Sequence, residues 1–129
     1  MKNKVLIIDD DEEMCEELCE VLTDEGYKVD YIHDGLKGKE RISEGSYDVI
    51  LLDIKLPGLT GYEILKNTKL QPLKSKIFVL TGRPLIKDTG KAKNSIEEDE
   101  EKTLKLADGV IDKPFDIEKI LQTIKQSIC

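Results

Sequence analysis

The feature that most constrains the fold of this chain is a series of short apolar runs, separated from one another by helical patterns. Continuous runs lie at residues 5–8, 49–52 and 77–80, and a shorter run lies at 110–111. Continuous runs of this length are typical of strands that are buried on both faces, as in a parallel sheet. The more mixed segment 29–32 suits a strand at the edge of such a sheet.

Helical patterns occupy the intervals between the first runs. The apolar spacing of residues 14–22 predicts a first helix, and Gly26 marks its end. The segment 36–44 predicts a second helix, although its lysines and arginine leave it little apolar face. Ile64 and Leu65 indicate a third helix.

Two further helices are predicted in the last third of the chain. Residues 95–98 match a capping box with an acid-rich first turn, which predicts a fourth helix that runs to about Ala107 and stops at Gly109. A fifth helix with the cleanest spacing starts near Asp116. Strands that alternate with helices predict an α/β fold, with a doubly wound five-stranded parallel sheet and helices on both of its faces.

Length and charge limit the functions that such a fold could have. The chain has 129 residues, which fits one domain, and 20 basic against 27 acidic residues give it a net charge of −7. This excess of negative charge argues against direct binding to nucleic acid. With no apolar run long enough to span a membrane and no signal-peptide pattern, we expect a cytoplasmic protein.

Polar residues follow the apolar runs, at the points where the predicted strands end. Because the carboxyl ends of parallel strands share one edge of the sheet, we expect these side chains to converge there. Clustered carboxylates repel one another unless they bind a cation, and all-oxygen ligands suit Mg²⁺. An ammonium and a hydroxyl beside them complete a set of groups suited to phosphoryl transfer onto a carboxylate. The residues concerned are Asp9, Asp10, Asp11, Asp53, Thr81 and Lys113.

The motifs that carry these residues resemble those of a known family, the receiver domains of two-component response regulators. The resemblance extends over essentially the whole chain and is strong because four motifs occur in order, each after an apolar run. They are the sequences IIDDD at 7–11, LLDIKLPGLTG at 51–61, LTG at 80–82 and DKPF at 112–115. The family implies a flavodoxin-like strand order of 2-1-3-4-5.

The resemblance also implies roles for individual residues. Asp53 would be the nucleophile that accepts the phosphoryl group, and Asp9 and Asp10 would be the acidic pair that holds Mg²⁺ (or Mn²⁺) together with it. The backbone carbonyl of Lys55 would be a further metal ligand. Lys113 would pair with the phosphoryl oxygens. Thr81 would move its hydroxyl onto the phosphoryl group and draw its loop inward.

The family further implies a partner and an output. The donor would be a phosphohistidine on a sensor histidine kinase or a phosphotransfer protein, and phosphorylation would repack the fourth helix, fifth strand and fifth helix. That face would contact a downstream protein or a second copy of the chain in a homodimer. The protein would be a signalling phosphoacceptor in a phosphorelay and not an enzyme, beyond self-phosphorylation and autodephosphorylation.

The sequence departs from the family pattern in its last third. Val110 stands three residues before Lys113, where receivers usually carry an aromatic residue or histidine. The segment from Thr81 to Lys113 is also longer than is typical, with an extended loop at about 82–94. We expect residues 1–129 to form a single receiver domain that leaves no room for an output domain, so that the chain is either a stand-alone receiver or part of a longer regulator.

Two other functions fit parts of the same pattern. A phosphatase of the haloacid dehalogenase type would use Asp9 as its nucleophile and Asp11 as its acid–base, but Glu13 replaces an expected threonine or valine. A receiver-like binding module that works without phosphorylation is a second alternative, favoured by Val110 and the long loop.

Several polar residues also have plain structural explanations. Asp9 or Asp10 could cap the first helix, because aspartate is favoured at that position. His33 is expected to be an exposed loop residue, and Cys15 and Cys19 are expected to be reduced residues of the core or its rim. Two cysteines and a distant histidine are too few ligands for a zinc site.

Overall fold

A computed structural model describes residues 3–44, 47–56, 60–69, 75–81, 105–113 and 116–128 of the chain. The strands in these residues are β1 (Lys4–Ile8), β2 (Lys28–Ile32), β3 (Val49–Asp53), β4 (Lys76–Thr81) and β5 (Gly109–Asp112). The helices are α1 (Glu12–Asp24), α2 (Gly35–Glu44), α3 (Gly61–Lys69) and α4 (Ile117–Ile128). The helix α4 is the fifth helix of the sequence prediction. The predicted loop at 82–94 and most of the predicted fourth helix lie outside the described residues.

The five strands form one parallel sheet in the order β2-β1-β3-β4-β5. This order confirms the predicted doubly wound fold, including β2 at an edge. The central strand β3 is buried along its whole length, as its continuous apolar run predicts. No helix in the described part of the chain is long and apolar enough to cross a membrane. The cytoplasmic location stays a prediction.

Helices cover both faces of the sheet, and alternate strand residues serve the two faces. Leu6 and Ile8 pack in a cluster that also contains residues of α2 and α3. Val5 and Ile7 pack in a second cluster with residues of α1 and α4. Because side chains alternate along a strand, one apolar run supplies both layers of the core.

The helix α1 is bounded by residues whose local chemistry explains its limits. Asp11 is the N-cap, and its side chain accepts a hydrogen bond from the backbone N–H of Met14 at 3.1 Å. Gly26, just past the C-cap, has a φ of 98°, a left-handed conformation that glycine adopts without strain. The prediction that Gly26 ends this helix is confirmed. The cap itself is neither Asp9 nor Asp10, so neither carboxylate is occupied by capping this helix.

The predicted end of the fourth helix at Ala107 is wrong, because residues 105–108 form turns and bends. The chain is tied to β4 at this point. The backbone N–H of Asp108 donates to the carbonyl of Ile77, and the Asp108 carboxylate accepts from the N–H of Ile77 at 2.7 Å. Gly109 is therefore not a helix stop but the first residue of β5. A Cβ there would lie 2.8 Å from the Phe78 ring, so only glycine fits without a shift of the ring.

Candidate functional site

The carboxyl ends of β1, β3 and β5 bring the predicted acidic residues and lysine together. Asp9 and Asp10 follow β1, Asp53 ends β3, and Lys113 follows β5. One carboxylate oxygen from each of the three aspartates lies within 4.8 Å of the other two. Residues separated by up to 104 positions in the sequence therefore form one polar cluster, as the strand-end pattern predicts.

Asp9 lies at the centre of this cluster and is completely buried. Its Oδ1 accepts a hydrogen bond from the backbone N–H of Asp11 at 3.0 Å, and its Oδ2 accepts one from Lys113 Nζ at 2.7 Å. Its own backbone N–H donates to the carbonyl of Ile32 at 3.0 Å. These bonds hold the carboxylate in a fixed direction.

Asp53 is almost as deeply buried as Asp9 but has weaker partners. Its Oδ1 accepts from the backbone N–H of Lys55 at 3.3 Å, and its Oδ2 lies 3.7 Å from Lys113 Nζ. Burial, reinforced by the negative charge of Asp9, raises the pKa of Asp53 from 3.8 to about 6, although the charge of Lys113 opposes this shift. The charge of Lys113 therefore offsets only part of the effect of burial and of the Asp9 charge on Asp53.

Lys113 bridges the two buried carboxylates. Its ammonium lies 2.7 Å from Asp9 Oδ2 and 3.7 Å from Asp53 Oδ2, and a quarter of its side chain is exposed. Burial by itself lowers the pKa of Lys113, but the hydrogen bond to Asp9 and the charges of Asp9 and Asp53 outweigh it and leave the pKa raised. Lys113 is therefore held in its charged form at the open side of the cluster.

The cluster fits a divalent cation by the chemistry of its donors. Three carboxylates offer hard oxygen ligands, which Mg²⁺ prefers, and Asp10 is exposed, so the site is open to solvent on one side. Burial, together with the charge of Asp9, raises the pKa of Asp53, and a cation bound beside it would favour the ionised carboxylate.

Thr81 and Lys55 lie at the same edge of the sheet. Thr81 ends β4, directly after Leu80, which is the register partner of Asp53. It is buried, and its carbonyl accepts a hydrogen bond from the backbone N–H of Lys113 at 2.7 Å. The Lys55 side chain is exposed, whereas its backbone N–H faces the Asp53 carboxylate. Both residues are therefore neighbours of the acidic cluster along the backbone.

Gly61 fixes the approach of α3 to the residue that follows Asp53. A Cβ on Gly61 would collide with the backbone carbonyl of Asp53 and would lie 2.7 Å from the Cα of Ile54. The backbone N–H of Gly61 donates to the carbonyl of Ile54 at 3.0 Å, which closes the connection between β3 and α3. The last glycine of the motif at 51–61 is thus required by close backbone contact beneath Asp53.

Sequence reasoning missed two side chains that contact the backbone carbonyl of Asp9, a residue of this cluster. His33 lies in the loop after β2, as predicted, but it is half-buried and not exposed, and its Nδ1 lies 2.8 Å from the backbone carbonyl of Asp9. The Sγ of Cys15 lies 3.5 Å from the same oxygen. Burial, with the charges of Asp9 and Asp11, raises the pKa of the Cys15 thiol to about 12, so it stays protonated at neutral pH. The position of His33 directly after β2 was the available signal.

Val110 lies on β5 beside Val79 of β4 and is 37% exposed. The described structure therefore places an aliphatic side chain where the family pattern leads one to expect an aromatic ring.

The chain is similar to many known regulatory proteins. A family model described as the response regulator receiver domain matches residues 5–125. The transcriptional regulatory protein YkoG of Bacillus subtilis is 33% identical over 129 residues, which cover 98% of this chain and 51% of that protein. The transcriptional regulatory protein DltR of Streptococcus agalactiae is 34% identical over 123 residues, covering 95% of this chain and 50% of that protein. The chain thus spans about half the length of the curated relatives it matches.

Solved structures of receiver domains and response regulators are also similar to this chain. A CheY-like response regulator receiver domain protein from Methanospirillum hungatei is 29% identical with a TM-score of 0.81, and the match covers 99% of this chain and 94% of that one. The response regulator TrrA from Thermotoga maritima, solved in complex with Mg²⁺ and BeF, is 27% identical with a TM-score of 0.78. That match covers 98% of this chain and 99% of that one.

Proposed function

This chain belongs to the response regulator receiver domain family, and we propose that Asp53 is its phosphoacceptor. In this proposal Asp53 takes a phosphoryl group from a phosphohistidine on a sensor histidine kinase or a phosphotransfer protein. Asp9, Asp10 and Asp53, with the backbone carbonyl of Lys55, would hold the Mg²⁺ (or Mn²⁺) that the reaction requires. The observation that carries the proposal is the convergence of the three carboxylates and Lys113 at one sheet edge.

Each residue of the cluster has a distinct part in the proposed transfer. An oxygen of the Asp53 carboxylate forms a bond to phosphorus while the P–N bond to the donor histidine breaks, and the histidine nitrogen keeps the electron pair of that bond. Lys113 pairs with the phosphoryl oxygens, and the Thr81 hydroxyl donates a hydrogen bond to one of them. Bound Mg²⁺ supplies further positive charge for those oxygens.

The environments of the two buried aspartates favour Asp53 over Asp9 as the nucleophile. Both carboxylate oxygens of Asp9 accept hydrogen bonds, at 3.0 and 2.7 Å, and its side chain is fully buried. Asp53 is 8% exposed at its side chain, and its contacts with Lys55 and Lys113, the partners given by the described part of the chain, are long at 3.3 and 3.7 Å. In addition, the Asp11 side chain caps α1, which argues against the acid–base role that a dehalogenase-type phosphatase would give it.

For the output, we propose that phosphorylation alters the face formed by β5, by α4 (the fifth helix of the sequence prediction) and by the separate fourth helix that the sequence predicts before β5. A groove of about 510 Å³ on this face is lined by β5 and α4, with Val110, Asp112, Lys119 and Thr123 among its walls. We propose that this face binds a downstream protein or a second copy of the chain. The domain itself is a signalling unit, and its activity is limited to self-phosphorylation from small acyl phosphates and autodephosphorylation.

The decisive experiment is chemical phosphorylation with residue mapping. We expect incubation with Mg²⁺ and acetyl phosphate to add one phosphoryl group, located at Asp53 by borohydride reduction and peptide mass spectrometry. Asp53→Asn should abolish the modification, and chelation of Mg²⁺ should suppress it. Modification at Asp9 instead would support the phosphatase alternative. Absence of any modification would contradict the proposed function and favour a phosphorylation-independent binding module.

A further inference from the structure

One contact at the back of the acidic cluster has no part in the proposed transfer. The imidazole Nδ1 of His33, at the end of β2, lies 2.8 Å from the backbone carbonyl oxygen of Asp9, at the end of β1. A carbonyl oxygen only accepts hydrogen bonds, so Nδ1 must carry the proton and donate it. The contact therefore specifies which ring nitrogen of His33 is protonated.

This hydrogen bond continues the pairing of β1 and β2 beyond the last strand residues. Ile8 and Ile32 are register partners, and the Asp9 N–H still donates to the Ile32 carbonyl at 3.0 Å. The chain then turns into α2, where Asp34 caps the first turn through its bond to the Leu36 N–H. At the Asp9 carbonyl, a side chain thus takes the position of the next backbone donor of the ladder.

The acceptor is buried and needs a strong donor. Asp9 is fully buried, and in the described part of the chain its carbonyl has two donors, the His33 ring and the Cys15 thiol. A thiol is a weak donor, and the Cys15 Sγ lies at 3.5 Å, so His33 makes the stronger of the two bonds. Loss of the imidazole N–H would leave this carbonyl poorly satisfied.

The carbonyl of Asp9 belongs to the peptide unit that leads into Asp10. Because a peptide unit is planar, the direction of that carbonyl also sets the direction of the Asp10 N–H and the position of its Cα. Asp10 is exposed and offers one of the three carboxylate oxygens of the cluster. A hydrogen bond that fixes the peptide therefore constrains where the Asp10 carboxylate lies relative to Asp9 and Asp53.

We infer that His33 is a positioning residue for the metal site, acting through the main-chain carbonyl of Asp9 to hold the Asp9–Asp10 pair in its cation-binding arrangement. This inference rests on the proposed function, because it concerns the cation that the three aspartates would hold. In this role the His33 side chain binds neither the cation nor the phosphoryl group, and it acts only through the Asp9 carbonyl.

The experiment compares Mg²⁺ affinity in variants of the full chain by isothermal titration calorimetry at fixed pH and ionic strength. His33→Leu removes the donor and should weaken Mg²⁺ binding on the order of 10-fold. His33→Asn should restore affinity to within about 2-fold of the wild type. The asparagine nitrogen branches from the same carbon atom as the histidine Nδ1 and can donate to the same carbonyl.

The matched control is Tyr47→Phe, which removes the hydrogen bond from the Tyr47 hydroxyl to Asp30 of β2 and leaves the acidic cluster alone. It should lower stability without changing Mg²⁺ affinity, which separates positioning from general destabilisation. Unchanged affinity in His33→Leu would overturn the inference, and so would equal weakening in the leucine and asparagine variants. In both cases the proposed function would stand, provided that Asp53 still accepts the phosphoryl group.

A second measurement does not depend on the folding of any variant. His33 is the only histidine in the chain, so a long-range proton–nitrogen NMR spectrum of the wild type reports its ring alone. We expect a protonated Nδ1 that stays bonded when Mg²⁺ is added. A neutral ring with its proton on Nε2 would overturn the inference. If the wild type bound no Mg²⁺, the proposed function itself would fail, and this inference with it.

Discussion

At the scale of single residues, Asp9 and Asp53 show how the fold gives two identical side chains different surroundings. Both are buried at the same sheet edge, but Asp9 accepts hydrogen bonds of 3.0 and 2.7 Å, whereas the contacts of Asp53 with the described residues are longer, at 3.3 and 3.7 Å. Burial and the charge of Asp9 raise the pKa of Asp53 to about 6. The carboxylate with the longer contacts is the one that we propose as the phosphoacceptor.

The raised pKa gives a prediction about stability and pH. Because the folded-state pKa of Asp53, about 6, lies above its ordinary value of 3.8, the metal-free fold favours the protonated form. The stabilisation from that proton is complete below pH 3.8 and is lost as the pH rises through 6. We therefore expect Asp53→Asn to raise the free energy of unfolding by about 2–3 kcal/mol above pH 6, and by far less near pH 4.

Urea unfolding of the metal-free protein between pH 4 and pH 8 would measure this difference. Glu20→Gln, at an exposed position of α1, is the control for removing a negative charge and should show no comparable dependence on pH. A gain in Asp53→Asn that is constant over the whole pH range would contradict the explanation.

At the scale of elements, the two ends of the sheet use carboxylates in different ways. At the amino ends of the strands, Asp48 and Asp108 accept hydrogen bonds from the backbone N–H groups of Lys4 and Ile77, which ties each strand to its neighbour. At the carboxyl ends, the aspartates converge on one another instead. The first arrangement stabilises the fold, and the second creates the site that the fold supports.

The pairing of β4 and β5 gives a prediction at this scale. Gly109 leaves room for the Phe78 ring, which a Cβ would meet at 2.8 Å. We expect Gly109→Ala to lower the free energy of unfolding by about 1–3 kcal/mol, because the ring must move out of a packed core. In a Phe78→Leu background the same change should cost clearly less.

A double-mutant cycle by urea unfolding measures this coupling between Gly109 and Phe78. Gly26→Ala provides a contrast, since an added Cβ there meets nothing within 4 Å and only the left-handed backbone is strained. Its cost should not depend on Phe78. An equal cost of Gly109→Ala in both backgrounds would show that the Phe78 ring is not the reason why position 109 requires glycine.

At the scale of the whole molecule, the acidic residues behind the net charge of −7 lie in two different environments, one exposed to solvent and one buried. Acidic residues on the exposed side of α1 are solvated. Asp9 and Asp53, in contrast, are buried, and among the described side chains Lys113 is the cation that pairs with both of them. The buried part of the negative charge is therefore the part to which a cation would couple most strongly.

A cation that binds only the folded state should stabilise the whole domain. We expect Mg²⁺ at about 100 times its dissociation constant to raise the free energy of unfolding by about 2.7 kcal/mol. Asp10→Asn removes one of the three carboxylates and should lose most of this gain, whereas Glu20→Gln should keep it. Thermal unfolding with and without Mg²⁺ tests this. Equal stabilisation by a sodium salt at the same ionic strength would contradict a specific site.

The sequence by itself determined the class of fold and most of the candidate site. Short continuous apolar runs that alternate with helical patterns are typical of strands in a sheet covered on both faces, and residues that follow parallel strands share an edge of that sheet. Asp9, Asp10, Asp53 and Lys113 could therefore be assigned to one cluster before their distances were known. Their roles in phosphoryl transfer remain predictions that the proposed experiments test.

Only the tertiary structure decided which contacts each residue makes. It identified Asp11 as the helix cap, Gly109 as a strand residue beside Phe78, and His33 as a donor to the Asp9 carbonyl. The periodicity of apolar residues predicts which face of a helix or strand is buried, because this pattern involves only residues that are close together in the sequence. Hydrogen bonds and steric contacts between distant residues depend on the positions of individual atoms, and those positions are set only when the strands and helices pack together.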